Sequence, residues 1–168
     1  MMRINVLAAV ALFVAALGAV ASGQTSLSPA ERQAHAVVAE FWELHNSRDL
    51  GRAQELLAVD YVNHSAASGE TPGFDGWKSF ITAVWDAAPD TSYLVDEMVV
   101  QGDLVATRWR FHGNHVKDFG GLPTKDKEIG FTAIMIHRVE DGVITEGWME
   151  FNGMAMLAQI GLLPGPPA

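Results

Sequence analysis

The segment FTAIMIHRVEDGVITEGWMEFNGMAMLAQIG, residues 131–161, decides how this chain folds. Two runs of β-type residues, 131–139 and 143–151, flank Glu140-Asp141-Gly142. Asp-Gly tolerates the positive φ angles of a tight hairpin turn, so the two runs are expected to pair antiparallel. The second run carries Glu146, Trp148, Glu150 and Asn152 at period two, which puts all four on one face of a strand. A solvated face would explain the carboxylates. A tryptophan among them suits the wall of a wet pocket better. A two-residue turn would set His137 opposite Glu146 and Met135 opposite Trp148, whereas a three-residue turn with a bulge would break that register. A His137–Glu146 pair could serve acid/base chemistry or be a structural ion pair, and both readings stand.

Working outward, period two continues upstream through 93–100, 103–115 and 127–139. In 103–115, Val105, Thr107, Trp109, Phe111 and His115 share one face, while Arg108, Arg110 and His112 share the other. His115 therefore ends an apolar face where a pocket mouth could lie. His112 and His115 point to opposite faces, so even with His64 they do not make a metal site, and no metal is expected. Before the strands the period is helical. Ser28-Pro29 with Glu31 opens a helix to about 46, and a second is read at 50–58. Tyr61-Val62-Asn63-His64 is extended, and a third helix over 76–87 is capped by Asp75. Helices first and consecutive strands afterwards indicate an α+β fold, with N-terminal helices packed on an antiparallel sheet.

At 168 residues and 49% apolar content the chain fits one domain, read here as 28–163, with 164–168 a Pro/Gly tail. Residues 6–20 carry no charge and lead to the small residues Ala19-Val20-Ala21. This reads as a signal peptide over 1–21 with 22–27 as linker, hence an exported protein with no stable membrane insertion after cleavage; an uncleaved anchor is the alternative. No cysteine is present, so packing alone must hold the fold. The formal charge of −9, or −10 once Arg3 is removed, is scattered and argues against nucleic acid as a partner. The five tryptophans belong mostly to the core, with one or two lining a ligand cavity. No nucleophile elbow, phosphate loop or dinucleotide fingerprint appears.

Taken together, YVNHSA (61–66), PGFDGWKSFITAVWDAAPD (72–90), QGDLVATRWRFHGNH (101–115), FGGLPT (119–124) and VEDGVITEGWMEFNGMAMLAQIG (139–161) resemble the SnoaL-like polyketide (ester) cyclases. That family sits within the nuclear-transport-factor-2-like, cystatin-related α+β group, and the resemblance spans about 30–163. It implies a curled antiparallel sheet wrapped with three helices around one deep apolar cavity, in the manner of a cone-shaped, cystatin-like barrel. It also implies relatives that close rings by intramolecular aldol condensation with an acid/base Asp and no cofactor. The family's Trp and Asp fall on Trp148 and Asn152, so the acid is an amide here, and its GTHxGxF pattern becomes GNHVKDF.

Three expectations follow. In the first, a cofactor-free enzyme acts on an apolar carbonyl compound through Glu146, His115, His137 or Glu150, with Asn152 holding an enolate oxygen and His64, Asn63, Trp148 and Trp109 around the ligand. In the second, an exported binding module uses the same pocket without turnover. In the third, an open sheet face makes a homodimer.

Overall fold

Ser28 starts the folded chain with a reciprocal cap. Its hydroxyl accepts from the Glu31 amide (3.2 Å) and its own amide donates to the Glu31 carboxylate (2.8 Å). The computed structural model describes residues 26–66, 71–123 and 126–164, so the expected leader over 1–21 lies outside the described residues. Helix α1, Pro29–Ser47, buries the stripe Ala34, Val38, Phe41, Trp42, Leu44 and His45. Arg48 at φ 60 ends it, and Asp49 caps the short α2, Leu50–Leu56. Strand β1, Leu57–Asn63, begins where the helical reading had continued to residue 58. The reason is tertiary: Leu57 already pairs with Ile144.

Helix α3, Gly73–Ala87, starts three residues before the expected Gly76 and has no side-chain cap; Asp75 sits in its first turn. Strands β2 (Ser92–Gln101), β3 (Leu104–His115), β4 (Lys127–Glu140) and β5 (Val143–Phe151) follow, then α4, Gly153–Gln159. The sheet order is β1-β5-β4-β3-β2. Every pair is antiparallel except β1 with β5, which is parallel. The α+β fold with helices on a sheet is therefore as expected, but the sheet is mixed and does not close into a barrel. Helix α1 lies across β2 to β5, and α3 packs on β1.

The final hairpin contains the decisive local feature. Asp141 (φ 50) and Gly142 (φ 83) make the two-residue turn between the partners Glu140 and Val143. Val139 still faces Ile144, but Arg138 faces Glu146, so Thr145 is an extra residue, a β-bulge. His137 thus pairs with Gly147 and Met135 with Met149, not with Glu146 and Trp148. A one-residue slip reverses the faces of the whole strand beyond it. Gly147, now on the inner face, is needed there: a Cβ would stand 2.1 Å from the Tyr61 hydroxyl oxygen and 3.1 Å from the Met135 methyl. Gly147→Ala is expected to cost about 1–3 kcal/mol through overpacking. Urea denaturation of the variant beside the parent checks this.

Candidate functional site

The inner sheet face, α1, α3 and α4 surround a cavity of about 710 Å³. Its wall follows from strand alternation. Inner-face rings run across four strands, Tyr93 to Phe111 (5.5 Å between centroids), Phe111 to Phe131 (4.8 Å) and Phe131 to Phe151 (5.2 Å). Trp42 of α1 meets Trp109 of β3 at 4.7 Å. Near the rim, Phe119 and Leu122 bond to each other through both backbone pairs, closing a tight turn at Gly120-Gly121, where both φ angles are positive. Both side chains belong to the wall, and Phe119 meets Phe80 of α3 edge-on. Among the described residues, no Asp, Glu, Lys or Arg lines this cavity. Its titratable groups are His45, His115, Tyr61 and Tyr93.

His45 was not among the residues the sequence singled out. It is 5% exposed, and its Nδ1 lies 2.7 Å from the Phe41 carbonyl one turn back. A carbonyl only accepts, so Nδ1 carries the hydrogen and Nε2 is left as an acceptor. Burial pushes this imidazole down to about 4, against a smaller upward pull from the Phe41 bond. His45 is therefore neutral at physiological pH. Burial also raises the Tyr93 phenol. The signal for His45 was present in the sequence: it stands four residues after Phe41, on the same apolar stripe.

The expected site residues divide sharply. His115 (5% exposed), Trp109 (4%) and Asn63 line the cavity. His137 is fully buried but sealed behind Phe41, 4.8 Å between ring centroids, and is not part of the wall. Burial drives it down to about 3, with the nearby His45 adding to the effect. Glu146, Trp148 and Glu150 are not in the cavity wall either, because the Thr145 bulge turns their side of β5 outward, and His64, one residue past β1, stacks against that outer face. There Glu146 joins His64 Nε2 (2.6 Å) and Arg138 Nε (2.7 Å). Those two bonds, His64 first, hold its carboxyl below the usual range. His64 stacks flat on Trp148 at 4.4 Å, and the Arg138 guanidinium lies over the same indole. Asn152 is exposed and caps α4, its side-chain oxygen accepting from the Ala155 amide (3.1 Å). The expected wet wall of Glu146, Trp148, Glu150 and Asn152 is thus corrected to a solvated face and a helix cap. Among the described residues, no three His, Asp or Glu side chains gather as a metal ligand set.

The described residues form an open-sided α+β shell around a large apolar hollow. A family model of SnoaL-like polyketide cyclases matches residues 33–160, and this chain belongs to that family. IdmH from Streptomyces antibioticus, a candidate polyketide cyclase, is 34% identical; the match covers 77% of this chain and 99% of that one, with a TM-score of 0.68. TsrD from Streptomyces laurentii shares the fold at a TM-score of 0.73 and 23% identity, covering 82% of this chain and 99% of its own. A SnoaL-like protein from Jannaschia sp. CCS1 does so at 0.72 and 20% identity, covering 82% and 98%. No curated protein matches the sequence.

The buried imidazoles make stability depend on pH in a definite direction. Unfolded, each would bind a proton near 6.5; folded, His45 does so only near 4 and His137 near 3. Their contribution is complete above pH 6.5 and is lost as pH falls from 6.5 toward these folded values, on the order of 3 kcal/mol per imidazole. His137→Phe should flatten this limb relative to the parent, as read from melting temperatures between pH 7 and 4.

Proposed function

We propose that this protein is a cofactor-free cyclase or isomerase that enolises a neutral, polyketide-like carbonyl compound in its cavity, with His45 as the general base. The observation that carries the reading is the cavity wall itself: it offers imidazole and no carboxylate among the described residues. His45 Nε2 is the lone pair left free by the Phe41 bond, so it can take a proton without first losing one. His115, at the inner end of β3, supplies a second imidazole to return the proton at oxygen or carbon. A base that protonates near 4 is weak. It matches a carbon acid with two activating neighbours, two carbonyls as in poly-β-ketones or a carbonyl and an aryl ring as in 2-tetralone, better than a simple dialkyl ketone. The apolar walls exclude water and strengthen each hydrogen bond made to the developing charge.

That no carboxylate lines the wall among the described residues also favours a second reading, a binding module that holds the same ligand without turnover. In either case the protein works outside the cytoplasm, a proposal supported by the uncharged run 6–20 and the small residues 19–21. Sequencing the N-terminus of protein recovered from its native host should find it at Ser22.

Hydrogen–deuterium exchange at the α-carbon of 2-tetralone in D₂O, followed by NMR, separates the two readings. An enzyme exchanges it faster than buffer. His45→Gln should lower the rate at least about a hundredfold, while Glu146→Gln on the outer face leaves it unchanged. The rate should fall only as pH drops toward 4, where His45 becomes protonated. Saturable binding with no exchange would leave the binding module; loss of exchange in Glu146→Gln would refute the assignment of the base.

A further inference from the structure

An antiparallel sheet with one covered face normally turns polar side chains to water on the other. Here the helices that wall the cavity, α1, α3 and α4, all lie on the covered side, and the outer face keeps an apolar centre. Strand β4 is the middle one of the five, and its outward residues Thr132, Ile134 and Ile136 are exposed and uncharged. Ile134 is 52% exposed. Two rows cross the sheet at these isoleucines. In one, Ile136 stands between Ala106 of β3 and Trp148 of β5; in the other, Ile134 stands between Arg108 of β3 and Glu150 of β5. Trp148 is held in place by the flat His64 ring and the Arg138 guanidinium. Glu150 is exposed and makes no ion pair among the described residues.

The two rows complement themselves under one operation. A second copy, turned over and laid face to face with the two-fold axis along β4, sets its β3 over β5 of the first at the same row. Its β4 then covers β4. Sheets packed in this way lie about 10 Å apart, with the side chains of both faces interdigitated. A large residue in one face therefore needs a small one opposite, and an anion needs a cation. Trp148 would meet Ala106, and Glu150 would meet Arg108. Residues on the axis meet themselves, so charge there would repel. The outward residues of β4 between Glu128 and Arg138 carry none. An axis across the strands would instead put β5 on β5, which has no cation to offer Glu150.

We propose that the outer sheet face binds a second copy of this chain, in an isologous dimer whose two-fold axis runs along β4. Ile134 and Ile136 form its dry centre. Trp148 and Arg108 anchor it on either side, the residue types that most often carry the energy of such contacts. The Glu150–Arg108 pair, formed twice, fixes the register and selects this orientation over others. The cavity opens on the opposite side of the sheet, so this proposal does not depend on the chemistry assigned to His45.

Sedimentation velocity tests the dimer, and cross-linking tests its axis. The parent should sediment as a dimer at micromolar concentration. Ile134→Lys, which sets two ammonium groups against each other on the axis, should raise the dissociation constant at least about a hundredfold. Its circular-dichroism spectrum should match the parent's. Glu150→Arg, which faces Arg108 with a like charge, should weaken the dimer about tenfold or more, while Glu43→Arg on the exposed side of α1 leaves it unchanged. The chain has no cysteine, so one introduced thiol reports one position. Ile134→Cys should be bridged between copies by a two-carbon bismaleimide. Val99→Cys on β2, 60% exposed, should not be, because its two copies stand four strand spacings, about 19 Å, apart. A monomeric parent, a dimer indifferent to Ile134→Lys and Glu150→Arg, or bridging at Val99→Cys overturns the proposal.

Discussion

One extra residue in β5 sets the chemistry of this molecule. In the register of the Asp141-Gly142 turn, Glu146 and Trp148 would point inward, toward the space that Phe41, His137 and Met135 occupy. The bulge at Thr145 shifts the pairing by one, and Gly147, Met149 and Phe151 face in instead. The energetic reason is clear. A carboxylate turned into this wall, which has no cation among the described residues, would lose its hydration without compensation, at a cost of several kcal/mol. Outside, it shares Arg138 with Asp103 and holds His64, linking the start of β3, the end of β4, β5 and the residue after β1 in one chain of polar contacts. The same shift gives Tyr61 its seat, because only a glycine on the inner face lets the phenol lie against the strand.

A wall with no charged side chain among the described residues in turn limits which groups can act in it. Asp, Glu, Lys and Arg pay heavily for burial, but imidazole can be buried neutral and still offer a lone pair near physiological pH. The chain places His45 and His115 at the wall and seals His137 behind Phe41. His45 has a fixed tautomer because its helix supplies the partner: residue i−4 of α1 presents its carbonyl to the ring. A helix carbonyl costs nothing extra in desolvation, since it is present whether or not the histidine uses it. Orientation and protonation state therefore come from the same short contact.

Much of this was legible in sequence, and the failures have specific causes. Alternation along β3 correctly placed Trp109, Phe111 and His115 on one buried face, because a strand with no bulge keeps its period. Asp141-Gly142 marked the turn, since positive φ has a local chemical signature. Thr145 has none: threonine is an ordinary strand residue, and the bulge exists because of where Glu146 would otherwise go. Alternation through Tyr61-Val62-Asn63-His64-Ser65 already sets Tyr61 and His64 on opposite faces, and the structure puts Tyr61 at the cavity and His64 outside. His45 was missed at the end of a stripe read only for its apolar members. Asn152 followed by Gly153-Met154-Ala155-Met156 is an N-cap pattern, legible in the sequence by itself.

That position carries the remaining argument. Asp caps a helix about as well as Asn does, so holding α4 in place cannot by itself account for the amide at 152. What the amide changes is charge. Phe151 on one side and Met156 on the other both line the cavity, and α4 closes that end of it. An anion at the cap would set a negative field beside the hollow, favouring the protonated form of any histidine within it. A neutral cap leaves His45 with burial as its dominant influence, and so leaves its Nε2 unprotonated. The amide at 152 and the buried imidazole are then two sides of one electrostatic arrangement, in which no anion at this helix cap competes with burial in keeping His45 neutral.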